Sequence, residues 1–353
     1  MRKLLLITMC FAVTLLLSGI AYGFHDEGVA RCSGCHTMHN SQNGIAVDTL
    51  HPTGNAYLLN KATPSDVCLG CHAVGHGDVF GSDPLNPPAE RGPGNFVFLL
   101  EDNLYDGRSG TVPGSAAGHN INAPSKGVGP DATLLTAPGG TFPASAMGCS
   151  SCHDPHGNTH YRMLYGAGGV VQDGIATFAN AAPDAEGLGF SSAAENNSNH
   201  IAYKGGFSAW CGNCHGNFHN EAGGRLEHPS GENLGGTIAG VYGRYNGTAH
   251  YNSGSPTTSY LAAVPFEDPA NTISSTAGPS ASSQVSCITC HRAHATSAPD
   301  AGRWDFNVTW LSDDGVTSHS YPIPNPYGPD VHIQRSLCNK CHVKDAGDAG
   351  SNP

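Results

Sequence analysis

Hydrophobic residues crowd one end of the chain and are thinly spread over the rest. Arg2 and Lys3 precede a mainly apolar run from Leu4 to Ile20, and small residues follow in Ala21-Tyr22-Gly23. That three-part pattern predicts a secretory signal peptide over residues 1–23, with the mature chain starting at Phe24. The run is about 17 residues, at the short limit for a bilayer span, and no basic stop-transfer cluster follows it. Beyond the leader, few windows keep a 3.6- or 2.0-residue hydrophobic period. The pattern therefore predicts a mostly irregular, coil-rich fold with a few short helices and no second hydrophobic segment.

Composition turns this into a packing problem. The 353 residues include 47 glycines and 24 prolines, a fifth of the chain where roughly 12% is usual. Such a chain cannot easily offset its ordering entropy with a core of its own side chains. Something else has to supply apolar bulk. Charge narrows the partners: 16 basic residues face 28 acidic ones, and loss of Arg2 and Lys3 with the leader leaves 14 against 28. A mature chain near −14 is a poor partner for nucleic acid or anionic membranes.

Cysteine spacing identifies the missing bulk. Twelve of the 13 cysteines fall in six copies of Cys-x-x-Cys-His. The pairs are Cys32 and Cys35, Cys68 and Cys71, Cys149 and Cys152, Cys211 and Cys214, Cys287 and Cys290, and Cys338 and Cys341. His36, His72, His153, His215, His291 and His342 follow them in turn; the thirteenth cysteine, Cys10, lies in the leader. This is the attachment motif of c-type haem. The two thiols add to the two haem vinyl groups, and the adjoining histidine becomes the proximal iron ligand. Zinc knuckles, redox dithiols or a disulfide framework would not place a histidine at the same fifth position six times over. The chain is expected to carry six covalent haems, about 55 mature residues for each, too few for separate globular domains. It is read as one elongated unit, residues 24–353, wrapped around a row of haems whose order follows the sequence.

Fourteen of the 20 histidines lie outside the motifs, enough to give every iron a second histidine. Five follow a proximal histidine by three or four residues: His39, His76, His156, His219 and His294. Two ligands on one side of a helical turn cannot bind opposite faces of one iron, so the second histidine must serve a different haem. Of these five, His39, His156, His294 and His219 join His25, His119 and His228 as distal candidates. The remaining His51, His160, His200, His250, His319 and His332 are read as surface or supporting residues.

The surroundings of the motifs resemble a known family. Phe24-His25, the run Cys-Ser-Gly-Cys-His-Thr-Met-His-Asn-Ser at 32–41, and Gly118-His119-Asn120-Ile121 are similar to the filament-forming extracellular hexahaem cytochromes of metal-reducing bacteria, the cytochrome nanowire family. So are Cys-Ser-Ser-Cys-His-Asp-Pro-His-Gly at 149–157, Trp210-Cys211, His219-Asn220, His228-Pro229, Cys-His-Arg-Ala-His-Ala at 290–295, and Leu337 to His342. The resemblance implies a head-to-tail homopolymer with a continuous chain of bis-histidine haems. It also implies that His39 ligates the fifth haem, on Cys287 and Cys290, of a neighbouring subunit. Within the chain it implies distal roles for His25, His119, His156, His228 and His294. With His219 that makes seven candidates for six places. Residues 73–112, 158–200 and 296–333 depart from the family pattern, and the tail at 345–353 extends beyond it and is expected to be disordered.

These readings converge on electron transfer without substrate chemistry: no catalytic residue is identified, and the protein is expected not to be an enzyme. The leading expectation is an exported, extracellular conduit to acceptors such as metal oxides, fed by redox partner cytochromes. A soluble periplasmic or surface shuttle is the first competitor. A multihaem oxyanion reductase is the second, but it needs an open iron, and the histidine surplus argues against that.

Overall fold

The fold was obtained as a computed structural model that describes residues 31–74, 77–101, 113–189, 193–219, 230–244, 254–308, 321–324 and 337–342. The leader at 1–23, His25, His76, His228, His250, His319, His332 and the tail at 345–353 lie outside these residues, as does the side chain of His219.

Coil dominates, as the weak periodicity predicts. Among the described residues the helices are α1 (Cys32–Cys35), α2 (Pro64–His72), α3 (Phe207–Cys211), α4 (Gly216–His219), α5 (Gly235–Tyr242) and α6 (Cys287–Cys290). The longest, α2, has nine residues. It starts where Thr63 accepts a hydrogen bond from the Asp66 backbone at 3.1 Å, with Pro64 at the first helical position; both devices favour a helix start. Strands pair only two at a time and antiparallel: β1 (Ser41–Gln42) with β2 (Ile45–Ala46), β3 (Val170–Val171) with β4 (Ala176–Thr177), and β5 (Asp184–Glu186) with β6 (Ala202–Gly205). No helix of the described residues is long and apolar enough to cross a membrane.

Apolar side chains gather in four small clusters, each set behind a motif. Phe80, Phe96, Phe98 and Ile121 pack with Leu69 of α2. Tyr242, Tyr260, Phe266 and Trp304 back Cys290 and Cys341. Ile201, Tyr203 and Phe207 meet Ile288 inside the fifth motif. Phe142, Val171 and Phe178 pack on Trp210 and Cys214. A single large core is replaced by apolar backing plates around a shared interior.

Candidate haem-binding cavity

That interior is one connected cavity of about 3620 Å³, and both cysteines and the histidine of all six motifs line it. Pockets for one small molecule run to roughly 300–1,000 Å³, so this volume suits several large groups in contact. Apolar walls come from residues such as Phe96, Phe142, Phe178, Phe207 and Trp304.

Motifs 1, 3 and 5 share one local construction. Each folds as a single helical turn, after which the histidine runs alongside a returning segment: His36 bridges to Leu59, His153 to Leu164 and His291 to Gly302. The returning segment carries two left-handed residues in succession. The second is Leu58 (φ 56°), Met163 (φ 55°) or Ala301 (φ 54°); the first, which orients the histidine, is Tyr57 (φ 55°), Arg162 (φ 52°) or Asp300 (φ 59°). Its carbonyl accepts from the histidine Nδ1, at 2.9 Å for His36, 2.8 Å for His153 and 2.8 Å for His291. A carbonyl can only accept, so Nδ1 carries the proton and Nε2 keeps its lone pair for a metal. Two further bonds close each clasp: Asn60, Tyr165 or Arg303 N–H donates to the carbonyl of Cys35, Cys152 or Cys290, and Thr37, Asp154 or Arg292 N–H to that of Leu58, Met163 or Ala301.

The even motifs are built differently. Motifs 2 and 4 end helices α2 and α3, and motif 6 occupies a tight turn over Leu337–Lys340. His215 also has its Nδ1 fixed, by the Pro138 carbonyl at 2.7 Å, but that partner lies 77 residues away. Each of the two helices also reaches the next motif. Ser65 Oγ accepts from Cys149 N–H, and Ser208 Oγ accepts from Cys287 N–H, both at 3.3 Å.

Thiol neighbours give the order in space. Cys68 hydrogen-bonds with Cys149, and Cys211 with Cys287, so first cysteines meet across motifs 2–3 and 4–5. Second cysteines are neighbours at the other steps. Burial raises the Cys35 thiol and Cys71 adds to it; burial pushes Cys152 to about 12, with Cys214 adding; burial pushes Cys290 to about 12, with Cys341 adding. The six motifs therefore neighbour one another in sequence order, with first and second cysteines alternating as the nearest pair.

The distal candidates sort clearly. His156 stands parallel to His36, centroids 6.4 Å apart and planes 14° from parallel. His119 faces His215 at 5.9 Å, and its Nδ1 donates to the Ala293 carbonyl at 2.6 Å. Two imidazoles on opposite faces of one iron stand with centroids about 6 Å apart, from two metal–nitrogen bonds of about 2 Å plus the ring half-widths. His294 lines the cavity against Phe96; burial, then His153 and His119, pull it down to about 3. His156 of the third motif thus reaches the first, and His294 of the fifth has the third's histidine as its neighbour. His39, at the same position in motif 1, does not line the cavity and lies exposed on the outside.

Among the supporting histidines, His160 lines the cavity and His51 pairs with Asp48 at 2.9 Å. His200, read from sequence as a surface or supporting residue in a polar loop, is buried. It stacks on Tyr260 at 3.7 Å with both ring nitrogens bonded to backbone carbonyls, which makes it a core side chain. The clasp residues escaped the sequence reading because they act through backbone carbonyls, and Tyr57, Arg162 and Asp300 share no side-chain chemistry. Ser65 and Ser208 did leave a signal, a serine three residues before Cys68 and before Cys211.

Paired thiols and a histidine face one apolar interior at all six motifs. Nε2 is left available on His36, His153, His215 and His291, and imidazoles stand opposed at iron-spanning separations for His36 and His215. These features fit covalent haem. They define a multihaem c-type cytochrome that holds six haems. Residues 142–176, around motif 3, match the doubled CXXCH motif family model. The chain is 32% identical to the C-type cytochrome OmcS of Geobacter sulfurreducens, over 96% of this chain and 98% of that one. Its fold matches two solved structures, the OmcS nanowires (TM-score 0.75) and the Outer Membrane Cytochrome S Filament (TM-score 0.76), both from Geobacter sulfurreducens. Each is 30% identical, with 91% of this chain and 100% of the other covered. The chain belongs to the OmcS family of c-type cytochromes.

Proposed function

We propose that this protein is the repeating subunit of an extracellular filament that conducts electrons to external acceptors such as metal oxides. The observation that carries the reading is the single cavity in which six attachment motifs follow one another in sequence order. Each haem supplies a one-electron couple at its iron. The chain's work is spacing, insulation and ligation. Clasped histidines hold their Nε2 atoms in place, so little rearrangement accompanies a change of charge, and histidine pairs with an acidic chain favour low potentials.

A pattern of histidines passed between motifs supports polymerisation. The third motif gives its second histidine to the first, and the fifth motif's second histidine neighbours the third. Continued by the same step, the first motif gives His39 to the fifth, which only another subunit can offer. The family resemblance implies that His39 would ligate the iron on His291 in a neighbour, and the exposed position of His39 outside the cavity supports it. His119 and His156 serve the irons on His215 and His36, and His294 the iron on His153. His25, His228 and His219 are left for the irons on His72 and His342. Residues 24–353 act as one unit, exported through the leader and supplied by redox partner cytochromes.

The test is cryo-electron microscopy of the exported, haem-loaded protein. Filaments with continuous haem density, and His39 joined to a neighbour's iron, are expected. Discrete particles with His39 free, or bound within its own chain, would leave a soluble hexahaem carrier.

A further inference from the structure

Two of the stretches that depart from the family pattern meet behind motif 5. Residues 90–95 of the first form a strap, and Glu195 of the second donates its N–H to the Glu90 carbonyl at 2.9 Å. The strap runs along the motif. His294 N–H donates to the Pro93 carbonyl (2.7 Å), and Asn95 N–H to the Ala295 carbonyl (2.9 Å). Gly94 is left-handed (φ 84°), and a Cβ there would collide with the Ala295 carbonyl.

Two guanidiniums, each 3% exposed, converge on the strap. Arg292 Nη1 donates to the Arg91 (2.7 Å) and Gly92 (3.1 Å) carbonyls, and its Nη2 pairs with Glu90. Arg303 donates to the carbonyls of Ile288 (2.7 Å), Ala262 (3.3 Å) and Gly92 (3.3 Å), which are all neutral. A guanidinium keeps its charge even when buried, so it calls for a counter-charge. Of the two carboxylates that act on Arg303, Glu90 is already paired with Arg292, which leaves Glu195.

Glu195 lines the haem cavity. Its Oε1 accepts from Ile201 N–H at 2.6 Å. Its Oε2 lies against Gly92, where a Cβ would come within 3.1 Å of it, and accepts no hydrogen bond from the described residues. Charged and titratable neighbours surround the carboxyl: Arg292 and Arg303 of motif 5 and its clasp, Glu90 of the strap, Tyr203 of β6, Tyr161 of the motif 3 clasp, and Tyr260. Burial raises it above the ordinary 4.5; the Ile201 bond, Arg303 and Arg292 oppose the rise, and Glu90 adds to it. Arg303 in turn acts on Cys290 and His291. One buried charge network thus links a proton-binding group to a haem that gains and loses an electron.

We infer that Glu195 is a redox-linked proton site, which takes up one proton from water when the haem of motif 5 is reduced and releases it on reoxidation. The iron passes from ferric to ferrous with the electron delivered along the haem row, the carboxylate becomes a carboxylic acid, and the charge of the network is unchanged. Uncompensated charge in a buried site is costly, and this exchange avoids it. The inference rests on electron transfer by the haems and holds for a filament subunit and a soluble carrier alike. An added electron raises the Glu195 carboxyl further. The potential of that haem therefore falls as pH rises between the oxidised-state and reduced-state values of Glu195, and is flat outside that window.

The test is a spectroelectrochemical titration of haem-loaded mature protein over a series of pH values, with reduced-minus-oxidised infrared spectra. In the wild type the haem on His291, assigned by nuclear magnetic resonance of its ring protons, is expected to show the slope. It should reach up to ~59 mV for each tenfold change in proton concentration, the value for one proton per electron. Glu195→Gln keeps an oxygen for Ile201 N–H; it is expected to retain six haems and to lose both the slope and a carboxylic acid band. Glu195→Asp keeps a carboxyl in an altered position and is expected to keep the slope but move its pH window. A slope unchanged in Glu195→Gln overturns the inference and gives the proton to a haem propionate. Should that variant load fewer haems, an unmoved window in Glu195→Asp overturns it instead. A wild-type haem on His291 with no slope overturns it outright.

Discussion

Motifs 3 and 4 lie side by side in the same cavity, yet their histidines are held by different means. His153 is oriented by a carbonyl nine residues downstream, inside its own clasp. His215 is oriented by a carbonyl 77 residues upstream, and its helix is tied to the motif 3 clasp by the Trp210 indole donating to the Tyr165 carbonyl at 2.8 Å. A clasped motif is a local unit that completes its ligand geometry within a short stretch of chain. A helix-end motif completes it only when distant segments have closed. Electron transfer needs both irons fixed equally well, so one functional demand has two structural answers here.

The largest test of this contrast concerns ligands passed between clasped motifs. His156→Ala should convert one haem of six to high-spin, and that haem should be the one on Cys32 and Cys35, not the one beside the substitution. Removing the first haem with Cys32→Ala and Cys35→Ala should therefore abolish the high-spin signal that His156→Ala produces. Persistence of that signal in the combined variant would return His156 to its own neighbourhood and break the exchange between motifs.

Next in size is the left-handed residue of the clasp. Arg162→Val sets a β-branched residue at φ 52° and should cost about 1–2 kcal/mol, read in denaturant unfolding, and broaden the spectral signature of the haem on His153. Arg162→Gly should be neutral or slightly stabilising there, since glycine adopts that conformation freely. An equal loss from both would mean that the Arg162 side chain, which donates to the Leu188 carbonyl, matters more than its backbone.

These contrasts also mark what could be read without a structure. The coil-rich fold, the six attachment motifs and the histidine surplus were legible because thiol and imidazole chemistry leaves fixed spacings. That the second histidine serves another haem was expected from helix geometry. In motifs 1 and 5, however, the proximal His36 and His291 are extended (ψ 149° and 159°) and not helical, so that step was not legible from a shared helical turn. Which haem it serves was not legible either, because a pairing such as His156 with His36 joins residues 120 apart through the packing of coil. The clasps were invisible for a related reason: a carbonyl is present at every residue, and the left-handed pairs Tyr57-Leu58, Arg162-Met163 and Asp300-Ala301 share no side-chain signature. His200 misled for the opposite reason, since a polar stretch of sequence folded around it and set a backbone carbonyl against each of its ring nitrogens.

A smaller effect tests the joints between the two kinds of motif. Ser65 and Ser208 are buried and accept equivalent 3.3 Å bonds from the first cysteine of the following motif. Ser65→Ala and Ser208→Ala should each lower stability by about 1 kcal/mol, with little change in haem spectra. Similar values from the two would support one repeated joint. A loss confined to Ser208 would restrict the joint to motifs 4 and 5.

The smallest expected effect separates motif 1 from the other clasped motifs by acid. The clasp of motif 1 is the longer one, its histidine and orienting carbonyl 21 residues apart against nine in motifs 3 and 5. Asp48, in the loop this adds, is held at about 2 against an ordinary 3.8, first by the Asn55 hydrogen bond and then by those from His51 and Leu50, which outweigh its partial burial. A carboxylate with a lowered folded value contributes stability that is complete above its unfolded value and is lost as pH falls through the folded one. The loop should thus stay ordered at pH 4 and loosen only as pH drops toward 2. Hydrogen exchange of the Leu50 and His51 amides, which Asp48 accepts directly, reads this without disturbing any haem. Asp48→Asn should speed that exchange at neutral pH and remove its acid dependence, while amides in the clasps of motifs 3 and 5 stay unchanged. If the amides in all three clasps loosen together on acidification, the first clasp is one unit with the rest and the added loop has no independent anchor.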